Sequence, residues 1–113
     1  MWGMKYACLV YLEAGKLHAV PDRECLDCGN AFRERGVMLG GEALHPVTAS
    51  ATVRVRNGKM SVTDGPFAET KEQLAGFYLL EAASLEEAIQ MAAKIPPARE
   101  GSIEVRPVRE LEP

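Results

Sequence analysis

Ala75-Gly76-Phe77-Tyr78-Leu79-Leu80-Glu81-Ala82 is apolar in both of its alternating sets of side chains. Successive residues of a strand face opposite ways. Tyr78, Leu80 and Ala82 therefore share one face, and Phe77 and Leu79 the other. A strand that is apolar on both faces is covered on both, which places it in the middle of a sheet. Met4-Lys5-Tyr6-Ala7-Cys8-Leu9-Val10-Tyr11-Leu12 reads the same way, with Tyr6, Cys8, Val10 and Leu12 on one face and Ala7, Leu9 and Tyr11 on the other. These are the two central strands. By contrast, Ser102-Ile103-Glu104-Val105-Arg106 alternates strictly, as a half-buried strand does, and Pro107 fits only an edge.

Between these strands the helical signals fall in two places. Pro21 is expected at the first position of a helix whose face is Cys25, Cys28, Gly29 and Phe32, spaced i, i+3, i+4, i+7, and which stops at Arg35-Gly36. Ser84-Leu85-Glu86-Glu87 is a capping box, and Leu85, Ala88, Ile89 and Ala92 predict the buried face of the helix it opens; Pro96-Pro97 ends that segment. Residues 37–44 return as a strand in which Gly40-Gly41 predicts a bulge or a close approach of backbones. Asn57-Gly58, set between alternating runs, predicts a two-residue hairpin loop pairing Arg56 with Lys59, Val55 with Met60 and Val53 with Val62. Its tip brings like charges together and is expected to be wet.

The order is strand, helix, strand, hairpin, strand, helix, strand. Without the hairpin it is β-α-β-β-α-β, a ferredoxin-like α+β sandwich, in which the first and third strands are central. Those are the two stretches that are apolar on both faces. Two helices cover only one side of such a sheet. The other side is apolar as well, so we expect a second copy of the chain there, in a homodimer packed sheet to sheet.

At 113 residues the chain is one domain, residues 1–113. It has no apolar run near the ~20 residues of a membrane span. Met1-Trp2-Gly3-Met4 lacks the charged start of a signal peptide, so a cytoplasmic protein is expected, with Trp2 at the surface. The net charge of −3 disfavours nucleic acid as a partner, since such binding needs a basic face. Arg54, Arg56 and Lys59 form the one basic patch, on the hairpin, where charges are usually solvated. Three cysteines suit a reducing compartment; Cys25 and Cys28 make a C-x-x-C that reads as helix packing, with redox chemistry as the alternative. No spacing suggests a metal set or a phosphate loop, and no cofactor is expected. His18 reads as a surface residue of the loop after the first strand.

Thr63-Asp64-Gly65-Pro66-Phe67-Ala68-Glu69-Thr70-Lys71-Glu72 is the stretch that carries candidate chemistry. Gly65 permits a positive φ and Pro66 fixes its own. With Asp64 as N-cap and Pro66 opening a helical turn, bare amides would face a ligand. Phe67 is expected to bury its ring and anchor the turn.

Taken with Gly40-Gly41-Glu42-Ala43-Leu44, the hairpin, Gly76-Phe77-Tyr78-Leu79 and Val105-Arg106-Pro107-Val108, this stretch resembles the DGPF-type branch of the YCII-related family. The likeness covers nearly the whole chain. It implies a dimeric α+β barrel in bacterial, cytoplasmic proteins, mostly uncharacterised, some encoded beside alternative sigma factors. It also implies a His–Asp pair for acid–base work, and one branch acts on chlorinated aromatics as a dehydrochlorinase. Asp64 matches the Asp of that pair. Its His would fall within residues 22–26, where no histidine stands and Cys25 is nearest.

Two functions follow as expectations. One is a metal-free enzyme that moves a proton on a small molecule in a cleft of the dimer, with Asp64 and His45 as the catalytic pair. Tyr6, Tyr11, Arg54, Pro66, Phe67, Lys71 and Tyr78 would then bind the ligand. The other is a non-catalytic ligand-binding or accessory dimer, in which Asp64 is only a turn cap. A small aromatic or carboxylate-bearing ligand fits either.

Overall fold

Backbone pairing sorts the chain into a four-stranded body and a separate two-stranded arm. The computed structural model describes residues 3–113; Trp2 lies outside the described residues. The elements run β1 (Met4–Glu13), α1 (Asp22–Glu34), β2 (Met38–Ala43), β3 (Ala51–Arg56), β4 (Lys59–Asp64), β5 (Glu72–Ala82), α2 (Leu85–Ala92) and β6 (Ser102–Pro107). The body sheet has the order β2-β5-β1-β6, with every neighbouring pair antiparallel. This is an α+β architecture with the strand order of a ferredoxin-like sandwich. β1 and β5 are central, as their two apolar faces require. β6 is an edge strand and ends at Pro107, where a missing amide donor costs nothing.

The core lies between the sheet and the two helices. Tyr6, Cys8 and Val10 of β1 and Leu80 and Ala82 of β5 meet Phe32 of α1 and Ala88, Met91 and Ala92 of α2. The rings of Phe32 and Tyr78 pack edge to face at 6.1 Å and 85°, a favoured aromatic geometry. α1 closes in a Schellman motif: Gly36 takes φ +74°, its amide donates to the Arg33 carbonyl, and the Val37 amide donates to Phe32. Ser84 caps α2, its hydroxyl accepting from the Glu87 amide at 3.2 Å.

Three local expectations are corrected. Pro21 caps α1 rather than opening it, because its ψ of 140° is extended. The buried face of α2 is Ala88, Met91 and Ala92; Leu85 and Ile89 stay about half exposed, because the helix turns the stripe that carries Met91, not the one that carries Ile89, toward the sheet. Pro66 starts no helix: the chain passes through bends from Gly65 until β5 begins.

The glycine pair does produce an irregularity. The β2–β5 register shifts between Met38 and Gly40. A β-carbon on Gly41 would lie 2.7 Å from the Phe77 carbonyl oxygen, and one on Gly76 would lie 2.8 Å from that of Glu42. Both contacts are closer than real side chains tolerate, so the two strands can approach this way only without them.

The arm stands apart. β3 and β4 pair Arg56 with Lys59, Val55 with Met60 and Val53 with Val62 across the Asn57-Gly58 loop, where both residues have positive φ. At its root the Gly65 amide donates to the Ser50 carbonyl and the Thr52 hydroxyl to the Gly65 carbonyl. Neither strand joins the body sheet. The molecule measures 46 × 42 × 19 Å with a radius of gyration of 15.8 Å, against ~13 Å for a compact domain of this length.

Candidate functional site

The two antiparallel pairings of β5 make β1 and β2 parallel to each other, so their C-terminal ends lie at the same end of the sheet. His18 follows β1 by five residues and His45 follows β2 by two. There a cleft of about 570 Å³ opens on the helix side of the sheet. Its floor is Gly41, Ala43 and Gly76, with Tyr78 beyond. Gly41 pairs with Tyr78 and Ala43 with Gly76, so all four residues share a face. The space exists because the strand residues that should fill it have almost no side chains. One wall is α1, through Cys25, Leu26 and Arg33; His18 and His45 stand on the rim, both exposed. They are the chain's only two histidines.

Tyr78 is half buried in this cleft, and its hydroxyl donates to the Cys25 carbonyl at 3.4 Å. Burial, followed by the nearby thiols of Cys28 and Cys25, holds the phenol well above its usual range. The hydroxyl therefore stays protonated and does not serve as a base. Burial and the carboxylates of Asp22 and Glu24 also push the Cys25 thiol up. Burial raises Cys28 as well, with Cys25 adding to it, and the Cys28 sulfur donates to the Lys94 carbonyl at 3.6 Å. A thiol must ionise to attack, so these upward shifts disfavour nucleophilic chemistry at both cysteines. Their environment supports the packing reading. The side chain of Arg99 meets Glu24 at 2.7 Å, tying the turn after α2 to α1.

The candidate residues named from sequence scatter. His45 and Tyr78 line the cleft. Asp64 does not; it ends β4, exposed, paired in register with Ala51. Among the described residues its carboxylate makes no hydrogen bond or ion pair, neither with His45 nor with its own turn. Tyr6 is a core residue, its hydroxyl 3.7 Å from the Met4 sulfur. Tyr11 lies on the opposite face of the sheet from Tyr6 and Val10. Arg54 is out on the arm. Lys71 pairs with Glu13 at 3.6 Å, an exposed contact of small energetic value. Pro66 sits in the bend after the arm, and Phe67, expected to be buried, is 78% exposed. Among the described residues, none covers its ring.

His18 is exposed in the loop after β1, as expected, and its place on the cleft rim beside His45 is the added finding. Topology was the available signal: in a β-α-β-β-α-β sheet, segments that follow the first and second strands emerge at one end. Among the described residues, no three His, Cys, Asp or Glu side chains are grouped to hold a metal ion, and no helix is long and apolar enough to cross a membrane.

The class defined by this fold and cleft is a small ferredoxin-like α+β domain with an open pocket beside its first helix. A family model described as the YCII-related domain matches residues 4–112, and an uncharacterised protein of Rhizobium meliloti (strain 1021) is 53% identical over 84 residues, 73% of this chain and 68% of that one. The chain belongs to the YCII-related family.

Proposed function

We propose that this protein, of the DGPF-type branch, binds a small aromatic carboxylate in the cleft beside α1 and moves a proton on it with the rim imidazoles, His45 and His18. The observation that carries this reading is the placement of both histidines of the chain on one cleft whose floor is cleared of side chains. Imidazole is the side chain whose charge changes near neutral pH, which suits it to general acid–base work. Leu17, Leu26, Leu44 and Pro46 supply apolar contact for a ring, and Arg33 supplies a cation for a carboxylate. His18 takes the role that the sequence gave to Asp64. Metal chemistry is not needed for such a step.

The same reading includes a homodimer. Leu9 pairs with Phe77 and Ala7 with Leu79 on the sheet face away from the helices, and all four are only partly buried. A flat apolar face of this kind needs a cover.

Phenylpyruvate, which has an aromatic ring, a carboxylate and an exchangeable benzylic proton, tests both binding and catalysis. In D₂O, proton NMR should show catalysed loss of the benzylic signal, and amide shifts should concentrate at Gly41, Ala43 and Gly76. His45→Gln should abolish the exchange and retain binding. Ala43→Phe, which fills the floor, should abolish both. Shifts scattered over the surface, or none, would remove the cleft from consideration.

A second reading is favoured by one observation. Among the described residues, neither imidazole has a hydrogen-bonded carboxylate to orient it, whereas a general base usually has one. On that reading the dimer binds the ligand as an accessory or regulatory subunit. Amide shifts at the cleft without any proton exchange would select it.

A further inference from the structure

We propose that the β3–β4 arm is an interchain clasp, which lays its apolar face on the body of a second copy of this chain. The inference rests on the homodimer reading and goes beyond it, since sheet-to-sheet packing alone assigns the arm no role. The arm is amphipathic in the strict strand sense. Val53, Val55, Met60 and Val62 share one face and are 57–70% exposed, while Thr52, Arg54, Arg56, Lys59, Ser61 and Thr63 share the other. An isolated two-stranded hairpin is marginal in water. This one keeps its register although, among the described residues, its apolar face is left open.

Area and charge together name the occupant. Four strands ~4.8 Å apart and about 20 Å long present a footprint of about 400 Å². A standard interface buries about 800 Å² per partner. The arm adds about 200 Å² by the same geometry, and in a twofold assembly each chain both gives and receives one arm. Electrostatics points the same way. Residues 51–64 hold Arg54, Arg56 and Lys59 against Asp64 alone, a charge of +2, which leaves −5 on the rest of a chain whose total is −3. Arg54, Arg56 and Lys59 lie on the face opposite the valines, so they draw the arm toward an acidic body at longer range rather than pair within the contact, and they oppose one basic arm laid on another. The arm also springs from the connection between β2 and β5, neighbours at one side of the sheet, so it projects beyond its own body.

Sedimentation of the full chain from 0.1 to 50 µM tests the clasp with three variants. The wild type should be a dimer, twice the 12.3 kDa of one chain. Val55→Glu with Met60→Glu alters two side chains that are exposed in the monomer. It should weaken dimerisation about 100-fold or more and leave the circular dichroism of the body unchanged. Arg54→Gln with Arg56→Gln should weaken it several-fold, and added salt should weaken the wild type likewise. Leu79→Glu reports on the sheet face separately. A wild-type monomer overturns both the dimer and the clasp. A dimer lost in Leu79→Glu but unaltered in Val55→Glu/Met60→Glu keeps the sheet interface and overturns the clasp. A tighter dimer in the double Gln variant sets arm against arm and overturns docking on the body.

Discussion

The body and the arm each present an apolar strand face, yet those faces reach opposite ends of the burial scale. Cys8 and Leu80 are fully buried, while Val55 and Met60, no less apolar for their size, are 60% and 70% exposed. The difference lies in what each strand has beside it. β1 and β5 have strands on both edges and helices over one face; β3 and β4 have only each other. Hydrophobic pattern thus specifies which face of a strand wants cover, while topology decides whether one chain can provide it.

Substitutions should separate the two regions most sharply where the core is deepest. Phe32→Ala removes a ring packed between α1, β5 and Tyr78 and should cost about 3–5 kcal/mol in urea unfolding. Met60→Ala, at a concentration where the chain is monomeric, should stay within about 0.5 kcal/mol. Equal losses would mean that the arm folds against its own body, and the contrast would collapse.

Alkali gives the next largest effect. Burial pushes the Cys8 thiol from 9.0 up to about 11. A folded-state value above the unfolded one means that stability is intact below pH 9 and is lost as pH rises toward 11, because the unfolded chain ionises first. The loss should be of order 2 kcal/mol. Cys8→Ala should flatten that part of the profile; a wild type whose urea midpoint holds steady to pH 11 would contradict the burial of this thiol. Smallest is the helix cap: Ser84→Ala should cost about 1 kcal/mol, and Ser84→Asp should restore most of it. No change in Ser84→Ala would show that α2 is held by packing alone.

Much of the body was legible in the sequence. The doubly apolar stretches around Tyr78 and Cys8 marked the central strands, Pro107 the edge, Gly36 and Ser84 the helix ends. Each of these signals is local, carried by alternation, by φ or by one capping hydrogen bond. The site was legible only in part. His45 and Tyr78 line the candidate cleft, as does His18, whose relation to His45 is made by two strands that share no hydrogen bond. Asp64 and Phe67 drew attention because turn residues concentrate in their stretch. Yet the Asp-Gly-Pro-Phe turn serves the root of the arm rather than the cleft of its own chain. The helical turn expected at Pro66 failed because only bends follow it, and the burial expected of Phe67 failed because the arm leads the chain away from the core.

The glycines beneath the cleft also set what can vary among proteins built this way. Gly41 and Gly76 are held by the close approach of two backbones, so neither can gain a methyl group without parting the strands. Ala43, on the same floor, is exposed and has no such constraint. The depth of the pocket is therefore fixed with the fold itself, while its breadth can be retuned at Ala43 and along the rim. A lineage could change its ligand by single substitutions there and never disturb the sheet that carries them.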